Sequence, residues 1–163
     1  MTQAPPGAAA ELIALLTGRQ ESIAVAESLT GGLLAAALTD IPGASAVFRG
    51  GVVAYATELK AVLLGVDPGL LDAHGAVSAE AAAAMAEGVR GRLGAAVGAA
   101  TTGVAGPDPA EGKPAGTVYI AASAGDQTRV RRLDLAGSRA AIRAATVREA
   151  LALVLVIARE ETR

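Results

Sequence analysis

The 163-residue sequence contains no cysteine and no tryptophan, and only one phenylalanine and two tyrosines. The lack of cysteine excludes disulfide bonds, thiolate nucleophiles and the commonest zinc sites. The single histidine, His74, argues against a histidine-rich metal site. With so few aromatic rings to stack on bases and a formal net charge of −2, we do not expect the chain to bind nucleic acid.

Long apolar runs are also missing. The longest, from Ala150 to Ala158, has about half the length that a transmembrane helix needs. The N-terminus carries Glu11 and has no cationic region before an apolar one, so it does not resemble a secretory signal. We therefore expect a cytoplasmic protein without membrane contacts, with residues 1–7 as a flexible tail and residues 8–163 as one domain around an aliphatic core.

Hydrophobic periodicity predicts the order helix, strand, helix, strand, helices, strand, hairpin, helix. This order predicts an α/β fold with three α/β/α layers around a mixed, mostly parallel sheet of about five strands. The final helix begins after Ser138, and its segment 151–157 is apolar on all sides. We expect that segment in the core or in a subunit contact, and hence a homo-oligomer. The predicted strands cover residues 23–26, 47–55, 95–101, 116–124 and 128–135.

Residues 27–32, with the sequence ESLTGG, lie between a predicted buried strand and a predicted helix. This arrangement places backbone N–H groups beside a possible hydroxyl nucleophile, Ser28. The plainer interpretation, which the local pattern favours, is that Ser28 or Thr30 only caps the helix while the glycines form the turn. A second glycine-rich turn, at 102–106, also follows a predicted strand. Ligands collect at the carboxyl ends of parallel strands, so we expect the two turns to meet at one site.

Common catalytic templates do not fit the chain. The segment from Gly106 to Lys113 has the wrong spacing for a phosphate-binding loop, and Pro114 follows it instead of serine or threonine. A serine-hydrolase elbow around Ser28 would need glycines where Ala26 and Thr30 stand.

A Ser28 nucleophile would need a base, and His74, Lys60 and Glu27 are the candidates. Lys60 is one of only two lysines in a chain that otherwise uses twelve arginines for positive charge. Lysine loses its proton when it is desolvated, whereas arginine stays charged, so Lys60 is the more informative candidate. From its position alone, a lysine on a helix surface is the plainer interpretation.

Five ordered blocks that span nearly the whole chain together resemble the CinA C-terminal domain family. They are AESLTGG at 26–32, Tyr55 with Lys60 and LLGV at 63–66, HGAVS at 74–78, TGVAGP at 102–107, and KPAGTVY at 113–119. Members of this family include nicotinamide-nucleotide amidases, which hydrolyse the carboxamide of nicotinamide mononucleotide to nicotinate mononucleotide and ammonia. The resemblance implies a serine amidase that takes a pyridine nucleotide and requires no metal or organic cofactor.

The resemblance also implies roles for individual side chains. It makes Ser28 the nucleophile, Lys60 its general base and Tyr55 an accessory in the proton network. Thr102 and Arg143 match further active-site positions of the family. The guanidinium of Arg143 is suited to the phosphate or carboxyl group of a substrate, because it can bind an acidic group in bidentate fashion.

Backbone groups complete the implied site. The N–H groups of Thr30, Gly31 and Gly32, at the start of a helix, are expected to bind an oxyanion. In the second turn, Gly103 and Gly106 are expected to let the backbone approach the ligand closely.

The chain departs from the family pattern at three positions. Leu29 stands where cysteine is frequent, Pro109 where glycine is frequent, and Ser138 where the family usually has the aspartate of Gly-Asp-Arg. The missing carboxylate at 138 raises the question of how Arg139 is held. The alternative function is a nucleotide-binding or partner-binding module of the competence and DNA-damage type with weak or absent hydrolysis. The sequence does not distinguish an amidase for another pyridine or amide substrate from a nicotinamide-nucleotide amidase.

Overall fold

A computed structural model describes residues 7–161 of the chain. Within these residues, five strands form one sheet in the order β2-β1-β3-β4-β5. The strands are β1 (Ile23–Glu27), β2 (Phe48–Val53), β3 (Val97–Gly103), β4 (Thr117–Ala124) and β5 (Gln127–Asp134). The α-helices are α1 (Ala8–Arg19), α2 (Leu33–Thr39), α3 (Thr57–Leu64), α4 (Pro68–His74), α5 (Ala79–Leu93) and α6 (Arg139–Glu160). Of the predicted tail, residues 1–6 lie outside the described residues, and Gly7 is the N-cap of α1.

The sheet is mixed. Strand β1 is parallel to both β2 and β3, while β4 runs antiparallel to β3 and to β5. Four strands therefore point in one direction and only β4 opposes them, which confirms the predicted mixed and mostly parallel sheet. Helical crossovers join the parallel strands, and a tight turn at Gly125 and Asp126 joins β4 to β5.

Helices cover both faces of the sheet, as the three-layer prediction requires. One hydrophobic core lies between the sheet and α1, α2 and α6, and the other between the sheet and α3, α4 and α5. In the apolar segment of α6, Leu153, Val154 and Ile157 are fully buried within the first core. Core packing thus accounts for this segment, and the predicted homo-oligomer remains a prediction.

Helix α6 is the longest of the described helices at 22 residues, and its charged residues lie at 139–149 and 159–160. None of the helices in residues 7–161 is both long enough and apolar enough to cross a membrane.

The carboxyl ends of β1 and β3 lie side by side at one edge of the sheet. Glu27 is the register partner of Thr101, and the N–H of Ser28 continues the ladder by donating to the carbonyl of Thr101 at 3.1 Å. Each of these strands is followed by one of the two glycine-rich turns. The prediction that both turns reach the same edge is therefore confirmed, and it locates the candidate site.

Candidate active site

A cavity of about 420 Å³ opens at this edge of the sheet. Its walls come from the turn after β1, the start of α3, the loop between α4 and α5, the loop between β3 and β4, and the first residue of α6. The lining residues are Ser28, Leu29, Tyr55, Thr57, Lys60, Ala76, Val77, Thr102, Gly103, Val104, Ala105, Gly106, Pro107, Asp108, Ala110, Glu111 and Arg139.

Lys60 lies in the wall of this cavity, and only 1% of its surface is exposed. Its Nζ atom is 3.1 Å from the Oγ of Ser28, 2.8 Å from the carbonyl oxygen of Ala54 and 3.4 Å from that of Tyr55. Helix α3 begins after a short connection at residues 54–56 that follows β2, so its first turn directs this side chain back toward the strand ends. The interpretation of Lys60 as a surface lysine is wrong.

Burial lowers the pKa of Lys60 below its ordinary value of 10.5, because the charged ammonium loses its hydration. The negative charges of Glu111 and Glu58 raise this pKa and so oppose the effect of burial in part. A neutral Lys60 has two N–H groups for the two backbone carbonyls, which leaves its lone pair for the hydroxyl proton of Ser28. The surroundings of Nζ therefore favour an amine that can act as a base toward Ser28.

Glu27, the last residue of β1, is also buried, with 1% of its surface exposed. Its two carboxylate oxygens accept hydrogen bonds from the N–H groups of Leu34 and Ala35, at 2.8 Å and 3.1 Å. Glu27 thus caps α2, where the helix dipole favours a negative charge. Because both oxygens face α2, the structure does not support Glu27 as the base for Ser28.

The predicted helix cap at Ser28 or Thr30 is wrong. The hydroxyl of Thr30 instead pairs with that of Thr101 at 2.8 Å, in a fully buried position. This contact anchors the turn after β1 to the neighbouring strand β3.

The predicted oxyanion donors lie in the turn that follows Leu29, and their role stays a prediction. Thr30, Gly31 and Gly32 do not line the cavity, because the chain turns away from it after Leu29. The N–H of Gly31 donates to the carbonyl of Ser28 at 3.1 Å, so it closes the turn.

In the second glycine-rich turn, the described contacts are with protein groups. The hydroxyl of Thr102 donates to the carbonyl of Ala76 at 2.7 Å. A Cβ atom at Gly103 would lie 2.8 Å from the carbonyl oxygen of Thr117 in β4, and Gly106 has a φ of 85°. Gly103 therefore allows close packing against β4. Both glycines line the cavity, and their predicted role in ligand approach stays a prediction.

Tyr55 and Arg139 form a pair at the mouth of the cavity. The phenol oxygen of Tyr55 accepts a hydrogen bond from Nη2 of Arg139 at 3.1 Å, and 58% of the tyrosine is exposed. The second terminal nitrogen of Arg139 donates to the carbonyl of Gly106. Tyr55 reaches Lys60 only through its backbone carbonyl, so the structure does not place its phenol in the predicted proton network.

Arg143 does not line the cavity. Its Nε and Nη2 atoms donate to the carbonyls of Leu29 and Thr30, at 2.9 Å and 3.0 Å. The guanidinium thus holds the turn that carries Ser28, and its predicted role in substrate binding stays a prediction. The arginine that lines the cavity is Arg139, one helical turn earlier, which the sequence reasoning had not placed in the site.

The departure at Ser138 has a structural explanation. Ser138 is the N-cap of α6, and its Oγ accepts a hydrogen bond from the N–H of Ala141 at 3.2 Å. Serine and aspartate are equally good N-caps, so either residue can start this helix and place Arg139 at its first position.

The remaining candidate base, His74, lies outside the cavity. Its Nδ1 atom is 3.7 Å from a carboxylate oxygen of Glu80, and both side chains are about half exposed. Across residues 7–161 we find no group of three or more histidine, aspartate or glutamate side chains arranged to hold a metal ion.

Comparison with known proteins gives a consistent match. A family model described as the CinA C-terminal domain matches residues 7–157. A CinA-like protein of Frankia casuarinae is 60% identical over 143 residues, which cover 88% of this chain and 33% of that protein. A CinA-like protein of Acidobacterium capsulatum is 48% identical over 137 residues, which cover 83% of this chain and 33% of that protein. The chain thus spans about a third of the length of these curated relatives.

Solved structures match over nearly the whole chain. The competence/damage inducible protein CihA of Agrobacterium tumefaciens is 37% identical with a TM-score of 0.87, over 98% of this chain and 100% of that one. A CinA superfamily protein of Klebsiella pneumoniae is 34% identical with a TM-score of 0.91, over 94% of this chain and 97% of that one.

Proposed function

Because the chain belongs to the CinA C-terminal domain family, we propose that it is an amidohydrolase that converts nicotinamide mononucleotide to nicotinate mononucleotide and ammonia. The observation that carries this proposal is the contact of the Ser28 hydroxyl with the buried amine of Lys60. A binding module gains nothing from burying a lysine beside a serine, whereas a serine nucleophile needs a base at this distance.

In the acylation step, Lys60 takes the hydroxyl proton of Ser28 while Oγ attacks the carboxamide carbon. The negative charge of the tetrahedral intermediate resides on the former carbonyl oxygen. Lys60, now an ammonium, gives its proton to the amide nitrogen, the C–N bond breaks, and ammonia leaves. The product of this step is an ester between Ser28 and the pyridine nucleotide.

In the deacylation step, a water molecule gives a proton to Lys60 and attacks the ester carbon. Lys60 then returns the proton to Oγ of Ser28 as the C–O bond breaks, which releases nicotinate mononucleotide and restores the enzyme. The sum of both steps is one amide and one water converted to one acid and one ammonia.

We assign the binding of the oxyanion to the backbone N–H of Leu29, since this residue follows the nucleophile and lines the cavity. We assign the substrate phosphate to Arg139. Its guanidinium lies at the cavity mouth beside Tyr55, and an arginine offers five N–H donors, of which two are engaged by Tyr55 and Gly106.

The alternative proposal is a nucleotide-binding or partner-binding module that retains the fold without useful hydrolysis. Its main support from the sequence was Ser138, and the serine cap of α6 removes much of that support. Both proposals allow the chain to bind the nucleotide, but only the amidase hydrolyses it.

Incubation of the purified chain with nicotinamide mononucleotide distinguishes the amidase from the binding module. Ammonia and nicotinate mononucleotide are both measured after the incubation. We expect stoichiometric release of both products. Binding of the nucleotide without product would contradict the amidase and favour the module. Nicotinamide and nicotinamide riboside in parallel reactions identify the preferred amide.

A further inference from the structure

Glu111 joins two separate segments of the cavity wall. Its Oε1 atom accepts a hydrogen bond from the N–H of Ala76 and its Oε2 atom one from the N–H of Val77, both at 2.9 Å. We call these two hydrogen bonds the Glu111 clamp. The acceptor belongs to the loop between β3 and β4, and the donors belong to the loop between α4 and α5. All three residues line the cavity.

The backbone around Glu111 is built to present this carboxylate. Ala110 and Lys113 pair as an isolated bridge, so residues 110–113 form a tight turn. Glu111 has a φ of 52°, in the left-handed region that residues other than glycine rarely adopt. Such a conformation persists only where surrounding contacts hold it, and the clamp is a contact of that kind.

The other side of the clamp is equally specific. A Cβ atom at Gly75 would lie 2.6 Å from Oε2 of Glu111, so a larger residue there would displace the carboxylate. The carbonyl of Ala76 accepts a hydrogen bond from Thr102, which fixes the same peptide segment to β3. The segment at Ala76 and Val77 is therefore held from two directions, by Thr102 and by Glu111.

We propose that Glu111 is a positioning residue that ties the turn at 110–113 to Ala76 and Val77, and so holds the cavity wall in the shape that binds the substrate. Both carboxylate oxygens are engaged by backbone N–H groups, so Glu111 acts through the wall and not on the substrate. The predicted kinetic effect rests on the proposed function. The Glu111 clamp itself does not, because its hydrogen bonds can be tested without a substrate.

The test is a Glu111→Gln variant. Glutamine has the same shape, but its amide offers one acceptor oxygen where the carboxylate offers two, so one N–H loses its partner. Amide hydrogen exchange, measured by NMR, should accelerate about tenfold or more at Ala76 or Val77. Kinetics are measured at a pH where kcat has reached its plateau, because the charge of Glu111 raises the pKa of Lys60 and its loss would otherwise shift the pH profile. With nicotinamide mononucleotide, KM should then rise about tenfold while kcat changes less than about threefold.

The matched control is Lys113→Gln. Lys113 lies 3.7 Å from Oε2 of Glu111, but the pair is partly exposed and Lys113 does not line the cavity. We expect neither exchange nor KM to change in this variant, since exposed ion pairs contribute little.

Unchanged exchange at both amides in Glu111→Gln would overturn the clamp, whatever the enzyme hydrolyses. Faster exchange with an unchanged KM would overturn the positioning role and leave the proposed function intact. If the wild-type chain fails to hydrolyse the nucleotide, the proposed function fails. The positioning role of Glu111 is then decided by amide exchange together with the affinity for the nucleotide. An unchanged affinity in Glu111→Gln overturns this role, and a loss of about tenfold supports it.

Discussion

The Nζ atom of Lys60 lies 3.1 Å from the Oγ atom of Ser28, although 32 positions separate the two residues. Parallel pairing of β1 with β2 explains the contact. Ser28 follows β1, while Lys60 lies in the helix that follows β2, and both strands end at the same edge of the sheet. Two elements of the α/β repeat are thus sufficient to bring a nucleophile and a base together.

Replacement of Lys60 by methionine should lower kcat/KM by about 10²–10⁴, the usual contribution of a general base. Methionine fills a similar volume but cannot accept the Ser28 proton. Lys113→Met is the matched control, because Lys113 is the only other lysine and lies outside the cavity. Comparable losses in both variants would argue against a specific role for Lys60.

The pH dependence of kcat/KM should follow the ionisation of Lys60. Its pKa is lowered from 10.5 by burial, and only the neutral amine can accept a proton. Activity should therefore rise with pH through one ionisation whose midpoint lies below 10.5. The negative charge of Glu58 raises the pKa of Lys60, so its removal in Glu58→Gln should move this midpoint to lower pH. A flat profile, or a midpoint that moves upward in this variant, would contradict the assignment.

Arg139→Gln should raise KM for nicotinamide mononucleotide roughly 10- to 100-fold, the loss expected for a charge-assisted contact to phosphate. Nicotinamide riboside lacks the phosphate, so its kcat/KM should be nearly unchanged. Arg143→Gln is the comparison, since Arg143 holds the carbonyls of Leu29 and Thr30. That variant should affect both substrates to the same extent. A phosphate-specific loss in Arg143→Gln instead would return the anion-binding role to Arg143.

Glu27→Gln should lower the free energy of unfolding by about 1–3 kcal/mol, because a buried hydrogen bond to a charged group is lost at the start of α2. Urea denaturation measures this change. The exposed residue Glu58 provides the control, and Glu58→Gln should change stability by less than about 0.5 kcal/mol. Equal effects of the two substitutions would show that the Glu27 cap is energetically unimportant.

The layers of the fold and the meeting of the two turns could be predicted because they depend on features that a sequence displays. Apolar runs and periodic segments locate strands and helices, and parallel strands bring their carboxyl ends to one edge. The residues alone made Ser28 and Lys60 candidates, and the resemblance to the CinA C-terminal domain family selected them as a pair. The burial of Lys60 was not predictable, since it depends on contacts of Nζ with Ser28 and with the carbonyls of Ala54 and Tyr55 that no local pattern indicates.

Individual hydrogen bonds could not be predicted from local patterns. The usual helix cap lies directly before the helix, but Glu27 reaches α2 from the end of the preceding strand. Arg139 and Arg143 lie four positions apart on one helix, so they share a face and the sequence cannot tell which one lines the cavity. The Glu111 clamp joins residues more than thirty positions apart, and no local pattern indicates it.

We propose that the Ser28 hydroxyl attacks the amide, and ammonia release from nicotinamide mononucleotide by Ser28→Ala tests this step most directly. Within residues 7–161, the hydroxyl of Ser28 hydrogen-bonds only to Lys60, so the variant should fold like the wild type. We expect the wild-type chain to release ammonia, and Ser28→Ala, with an unchanged melting temperature, to release it at the uncatalysed rate. Release by Ser28→Ala at the wild-type rate would exclude Ser28 as the nucleophile.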